Sequence, residues 1–210
     1  MTIQKQGSLF IISAPSGAGK TSLVKELIEQ IDDLSVSTSH TTRAPRTDEE
    51  NGKDYFFVDQ NKFNSMINNN EFLEYAKVFD HYYGTSRQSI EANLSEGKNV
   101  ILEIDWQGAR QIKSILRSAV SIFILPPDYA SLRVRLTGRH GDDVDTVNFR
   151  MQQATEEISH FKEYDYIVIN DDFAQASEEL SSIITATNLG SCRQSAFFEQ
   201  FVAEIMAQQD

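Results

Sequence analysis

The sequence predicts an α/β fold, a doubly wound parallel sheet with an inserted α+β subdomain. Three observations predict it. Short apolar stretches, rich in β-branched residues and bounded by turn residues, recur along the chain. Amphipathic helical patterns alternate with them. Between Thr42 and about Glu96 that rhythm breaks, and strand and helix signals crowd too densely for a loop.

Taken in order, "SLFIIS" is the first core strand and "KTSLVKELIEQI" the helix after it. "LSVSTS" is the second strand. The insertion follows, with "KDYFFV", "EFLEYAKV" and "HYYGTS" as short strands around the helix "NKFNSMINN" and "RQSIEANLSEG" as the returning helix. "NVILEID", "SIFIL" and "YIVIN" complete the core sheet, with "ARQIKSILRS" and "DFAQASEELSSIITAT" as covering helices. A second insertion is expected at "GRHGDDVD", a flexible charged segment between two helices. One domain results, with a core of residues 8–41 and 97–190, an insertion at 42–96, the second insertion within 135–150 and a C-terminal helix at 191–210. In that last helix Phe197, Phe198, Phe201, Val202 and Ile205 form an apolar stripe, which either covers the core or makes a homo-oligomer contact.

Composition narrows the class. Hydrophobic residues at 40% and charged residues at 24% describe a soluble globular protein. A lone cysteine, Cys192, leaves no internal disulfide and suits a reducing compartment. The early run "LFII" is too short for a membrane span and no cleavage site follows it, so a cytoplasmic protein without a membrane partner is expected. A net charge of −12 argues against broad nucleic-acid binding. A polyphosphate ligand would need clustered cations nearby, since charges beyond roughly 10 Å are screened.

The stretch "SAPSGAGKTS" has the form of a phosphate loop. Ala14, Pro15, Ser16, Gly17, Ala18 and Gly19 form the turn, and Lys20, Thr21 and Ser22 open the helix. The glycines let consecutive N–H groups face phosphate oxygens, and the helix N-terminus adds its dipole. Lys20 would reach the outer phosphates and the Thr21 hydroxyl would coordinate Mg²⁺. Ala14 stands where the pattern has its first glycine, but it closes a strand, where φ is expected to be negative and a methyl tolerable. Glu103 and Asp105 in "VILEID" alternate onto one strand face, where acids hold Mg²⁺ through water or accept hydrogen bonds from a substrate.

The insertion carries Arg43, Arg46, Tyr55 and Tyr83, a set of guanidinium forks and phenols suited to a terminal phosphate. Glu74 lies between Leu73 and Tyr75, and a carboxylate there needs donors to offset desolvation. Guanine offers a matched pair, N1–H and the 2-amino group, while Ser39 could donate to O6. Read singly, the tyrosines also fit a plain aromatic core and Glu74 a solvated strand.

Together, "SAPSGAGKTS", "SHTTRAPR", "NGKDYFFV", "EFLEYA", "YYGTS", "LEIDWQGA" and "IVINDD", in this order and spacing, resemble the guanylate kinase family from about Ser8 to about Asn188. The resemblance implies a P-loop kinase-type core, a nucleotide-monophosphate-binding insertion and a mobile lid at 135–150. It implies that Ser39, Arg43, Arg46, Tyr55, Glu74, Tyr83, Thr85 and Asp105 contact GMP, that the phosphate loop binds ATP, and that Asn170 lies near the adenine. Arg135, Arg139 and Arg150 would reach the transferring phosphoryl group. Thr85 stands where serine is common in the family, a swap that keeps the hydroxyl. Glu103 stands where aspartate is more usual, which bears on the metal.

The expected reaction is MgATP + GMP → MgADP + GDP. The nucleophile is a phosphate oxygen whose second ionisation lies near pH ~6, so no general base is needed. Two rivals remain at this point, a non-catalytic interaction module of the same fold and a kinase for a ribose phosphate. Lys20, Thr21 and the arginines argue against the first, Glu74 and Ser39 against the second. His40, His81, His140 and His160 have no metal-ligand spacing.

Overall fold

In the computed structural model, residues 6–78, 80–137 and 144–207 are described. The five predicted core strands form one parallel sheet. They are β1 (Leu9–Ser13), β2 (Leu34–Val36), β7 (Asn99–Glu103), β8 (Val120–Leu125) and β9 (Tyr166–Ile169), in the order β2-β7-β1-β8-β9. All of β1 is buried, because helices cover both faces and its side chains need no polar alternation. On one face lie α1 (Lys20–Gln30) and α7 (Phe173–Asn188), which contribute Leu23, Leu27, Leu180 and Ile184 to the core. On the other lie α3 (Arg87–Ser95) and α4 (Trp106–Ile115), through Ile90, Ala109 and Ile112.

The insertion, joined by His40 and Thr41 from just before it, forms a second sheet from β3 (His40–Thr41), β4 (Phe56–Phe57), β5 (Phe72–Val78) and β6 (His81–Ser86), in the order β4-β3-β6-β5. Helix α2 (Gln60–Asn68), capped by Asp59, packs Phe63 and Met66 against Phe72. Two strands are shorter than the apolar pattern suggests. Only Leu34–Val36 of "LSVSTS" pairs with the core sheet, and His40 and Thr41 join the second sheet instead. "KDYFFV" keeps only Phe56–Phe57, because the chain before it turns on itself: Glu50 N–H donates to Asp54 at 2.8 Å and Gly52 N–H to Tyr55 O at 2.8 Å.

Helices α5 (Tyr129–Thr137) and α6 (Val144–Ser159) pack through Leu132, Leu136, Val147, Met151 and Ala154. The segment between them, with Arg139 and His140, lies outside the described residues. Helix α8 (Ser191–Met206) leaves Phe198, Phe201, Val202 and Ile205 exposed, and the side chain of Phe197 lies outside the described residues. Among the described residues, no helix is long and apolar enough to cross a membrane.

Candidate active site

A cavity of about 140 Å³ opens where the core sheet ends and the insertion begins. Its walls bring together Ala14 and Lys20 from the phosphate loop, Glu103 and Asp105 from the end of β7, and Ser39, Tyr55, Glu74 and Tyr83 from the insertion side. Glu157 of α6, which sequence reasoning missed, completes the wall. A larger hollow of about 560 Å³ lies between α1 and α7. It touches none of the predicted site residues, so its size says nothing about the chemistry.

The phosphate loop owes its path to two left-handed residues, Gly17 at φ 89° and Gly19 at φ 92°. Among the described residues, the non-glycine positions with positive φ are Asn70 and Asp80, so Ala14 carries no left-handed strain. Ala14 packs on the main core while Pro15 and Ala18 are buried, and Thr21 and Ser22 are exposed at the helix start. Asn170 supports the loop from beneath. It is buried, and its Nδ2 donates to Ala18 O at 2.7 Å. A side chain at Gly19 would begin 2.3 Å from that same nitrogen. Arg135 of α5 donates to the Asn170 carbonyl at 3.1 Å, and its Nη1 is buried without a hydrogen-bond partner among the described residues. Arg150 lies on α6 outside the cavity wall.

At the opposite end Glu74 is 4% exposed. A register shift between Phe72 and Glu74 sets it opposite Thr85, itself buried, and the Thr85 hydroxyl donates to Glu74 Oε1 at 2.5 Å. Burial pushes the Glu74 carboxyl up to about 7; Thr85 opposes the rise and Asp105 adds to it. Asp105 also caps α4, accepting from Gly108 N–H at 2.9 Å. A side chain at Gly108 would begin 2.7 Å from Glu74 Oε2, so a larger residue there would require that carboxylate or the first turn of α4 to shift.

Arg43 is held by Glu49, the second residue missed from sequence. Its Nη2 donates to Glu49 Oε1 at 2.8 Å, while Arg46 N–H donates to Glu49 Oε2 at 2.8 Å. The Arg43 guanidinium also lies 5.4 Å from the Tyr55 ring centroid, and Tyr55 meets Tyr83 edge-on at 5.9 Å. Hydrogen bonding to Arg43 holds the Glu49 carboxyl below its usual range. Arg46 itself is exposed.

Glu157 does on the phosphate loop what Glu49 does in the insertion, since Ser16 N–H donates to Glu157 Oε2 at 3.2 Å. The one sequence signal for it is spacing: Arg150 and Glu157 are two helical turns apart on one face. At the end of α6, His160 stacks on Trp106 at 3.8 Å, and both it and Arg110 bond to Glu163.

Residues 6–187 match the family model described as guanylate kinase. A guanylate kinase of Chromohalobacter salexigens is 53% identical over 181 residues, covering 86% of this chain and 84% of that one. One from Photorhabdus laumondii is 50% identical over 204 residues, covering 96% and 99%. Among solved structures, guanylate kinase from Anaplasma phagocytophilum aligns with a TM-score of 0.77 at 36% identity, over 90% of each chain.

Proposed function

The chain belongs to the guanylate kinase family, and we propose from that premise how its own residues move a phosphoryl group from ATP to GMP. The protein is a nucleoside monophosphate kinase, giving ADP and GDP. The observation that supports the residue assignment is that Lys20 and Glu74 line one cavity, and we place the ATP phosphates beside the first and guanine beside the second. Two nucleotides bound in that way would meet phosphate to phosphate.

Glu74, as carboxylate, would accept from guanine N1–H and the 2-amino group, with Ser39, Thr85 and Asp105 completing the base site. Arg43, Arg46, Tyr55 and Tyr83 would hold the GMP phosphate. The loop from Ala14 to Ser22, buttressed by Asn170, would cradle the ATP phosphates, with Lys20 on the outermost. Arg135 Nη1, without a partner among the described residues, offers a donor to the ATP side, and Arg139 and Arg150 are assigned to the transferring group.

The bond from the γ-phosphorus to ADP breaks as one to a GMP phosphate oxygen forms in line. That oxygen is largely ionised at neutral pH, so no side chain need remove a proton. What the site must supply is alignment and charge neutralisation. Thr21 and Glu103 are oxygen donors of the kind Mg²⁺ prefers, and they fit it as ligands beside the loop. Bound with ATP, the ion would neutralise charge on the phosphate oxygens.

The lone Cys192 suits a reducing cytoplasm, and the exposed apolar stripe of α8 suits contact with a second copy. A coupled assay of ADP release tests the assignment. GMP should support turnover far better than AMP, and Lys20→Ala should lose most of it; near-normal turnover in that variant would remove Lys20 from the mechanism.

A further inference from the structure

We propose that Glu157 is a positioning residue for the phosphate loop, and that its carboxylate must take up a proton before a nucleoside triphosphate can seat there. The inference rests on the reading that this loop holds ATP. Ser16 N–H, one of the loop's donors, is given to Glu157 Oε2 at 3.2 Å. A phosphate loop works by offering its N–H groups to an anion. Here an internal anion already holds one.

The surroundings make that arrangement sensitive to charge. Lining one small cavity with Glu157 are Lys20 from α1, Asp105 from the cap of α4, Glu103 from β7 and Glu74 from β5; of these Lys20 and Asp105 act on its charge. Tyr164, just after α6 and its short 3-10 turn, also feels its charge. One lysine thus stands among four carboxylates at a place where a polyanion must enter. Burial pushes the Glu157 carboxyl up to about 7; the Ser16 N–H and Lys20 oppose the rise, and Asp105 adds to it. A triphosphate with Mg²⁺ bound is still a net anion, so beside Lys20 it adds negative charge and the neutral acid becomes the stable form. It can then remain at the loop as a donor, keeping α6 and Arg150, two turns earlier on the same face, in register with the bound phosphates.

The test compares wild type with Glu157→Gln, which keeps the shape and the acceptor oxygen and removes the titration. If only the neutral form admits ATP, the wild-type KM for ATP should rise about fivefold from pH 7 to pH 8, as the charged fraction grows. The glutamine variant should lack that rise. Calorimetry of MgATP binding in two buffers of different ionisation enthalpy gives a second readout. At pH 7 wild type should take up about half a proton more than Glu157→Gln. Should wild type itself show no uptake, or the variant match it in both measurements, the proposal falls. It falls equally if Glu157→Gln binds ATP more weakly than wild type at both pH values, since the carboxylate would then be assisting the phosphates. Lys20→Ala separates this from the underlying reading: undiminished MgATP binding in that variant would overturn the phosphate-loop assignment, and the proposal with it. Lost binding supports the loop as the ATP site, and the Glu157→Gln comparison then decides the proton.

Discussion

The Thr85 hydroxyl donates to Glu74 Oε1 at 2.5 Å, while Glu74 Oε2 lies 2.7 Å from where a side chain on Gly108 would begin. A strand partner thus holds one oxygen of this buried carboxylate and the first turn of a helix lies close against the other, on the wall of the cavity that also holds Lys20.

That carboxylate is expected to couple GMP binding to pH. Its pKa is raised to about 7 in the folded protein, against 4.5 when unfolded. The folded state therefore keeps a proton that the unfolded state has lost. The resulting stability is full below pH 4.5 and is lost as pH rises through 7, at a cost of about 3 kcal/mol. Guanine's donors favour the charged form, so GMP should offset that cost. Thermal melts should show a larger GMP-induced rise in Tm at pH 8 than at pH 6, and Glu74→Gln should narrow the difference. An equal rise at both pH values in wild type would remove Glu74 from base recognition.

Gly108→Ala isolates the close approach of α4. Alanine favours a helix by up to about 1 kcal/mol over glycine, so the fold should survive. Its methyl would meet Glu74 Oε2 at 2.7 Å and Ile104 at 3.3 Å. The KM for GMP should rise roughly tenfold or more, corresponding to about 1.4 kcal/mol, while the KM for ATP changes little. Steady-state kinetics with each substrate varied in turn checks this. Equal changes in both constants would point to general distortion.

Asn170→Ala reports on the other end. It removes the hydrogen bond to Ala18 O and leaves a buried carbonyl unsatisfied, a cost of about 1–3 kcal/mol. Stability should fall by that amount in urea titrations and the KM for ATP should rise, with GMP little affected. An unchanged midpoint would mean that the loop holds its shape without Asn170.

The resemblance points to Asn170 beside the adenine, and the structure adds a second task beneath the loop. Such contacts explain what the sequence could and could not disclose. The phosphate loop is contiguous, and its glycines, lysine and threonine declare their geometry in order. The five core strands are equally plain, since burial on both faces writes them as apolar runs. Glu157 is hidden because its partner Ser16 lies 141 residues away, and because placing an acid on an anion-binding loop runs against charge logic. Glu49 sits in a polar run, "RTDEENGKD", where nothing distinguishes the acid that grips Arg43 from those that face solvent. Gly108 reads only as a poor helix former until Glu74 is seen against it. Strand ends escape the pattern for a similar reason: the Glu50–Asp54 turn that shortens "KDYFFV" depends on contacts, not on hydropathy.

Following the γ-phosphate itself gives the most direct measurement. Purified protein supplied with γ-labelled ATP, magnesium and GMP should place the label on the β-phosphate of GDP, one for each ADP formed. AMP in place of GMP should accept little of it. Label appearing chiefly as inorganic phosphate, or passing equally well to AMP, would contradict a cavity that joins Lys20 to Glu74 and aligns the two nucleotides end to end.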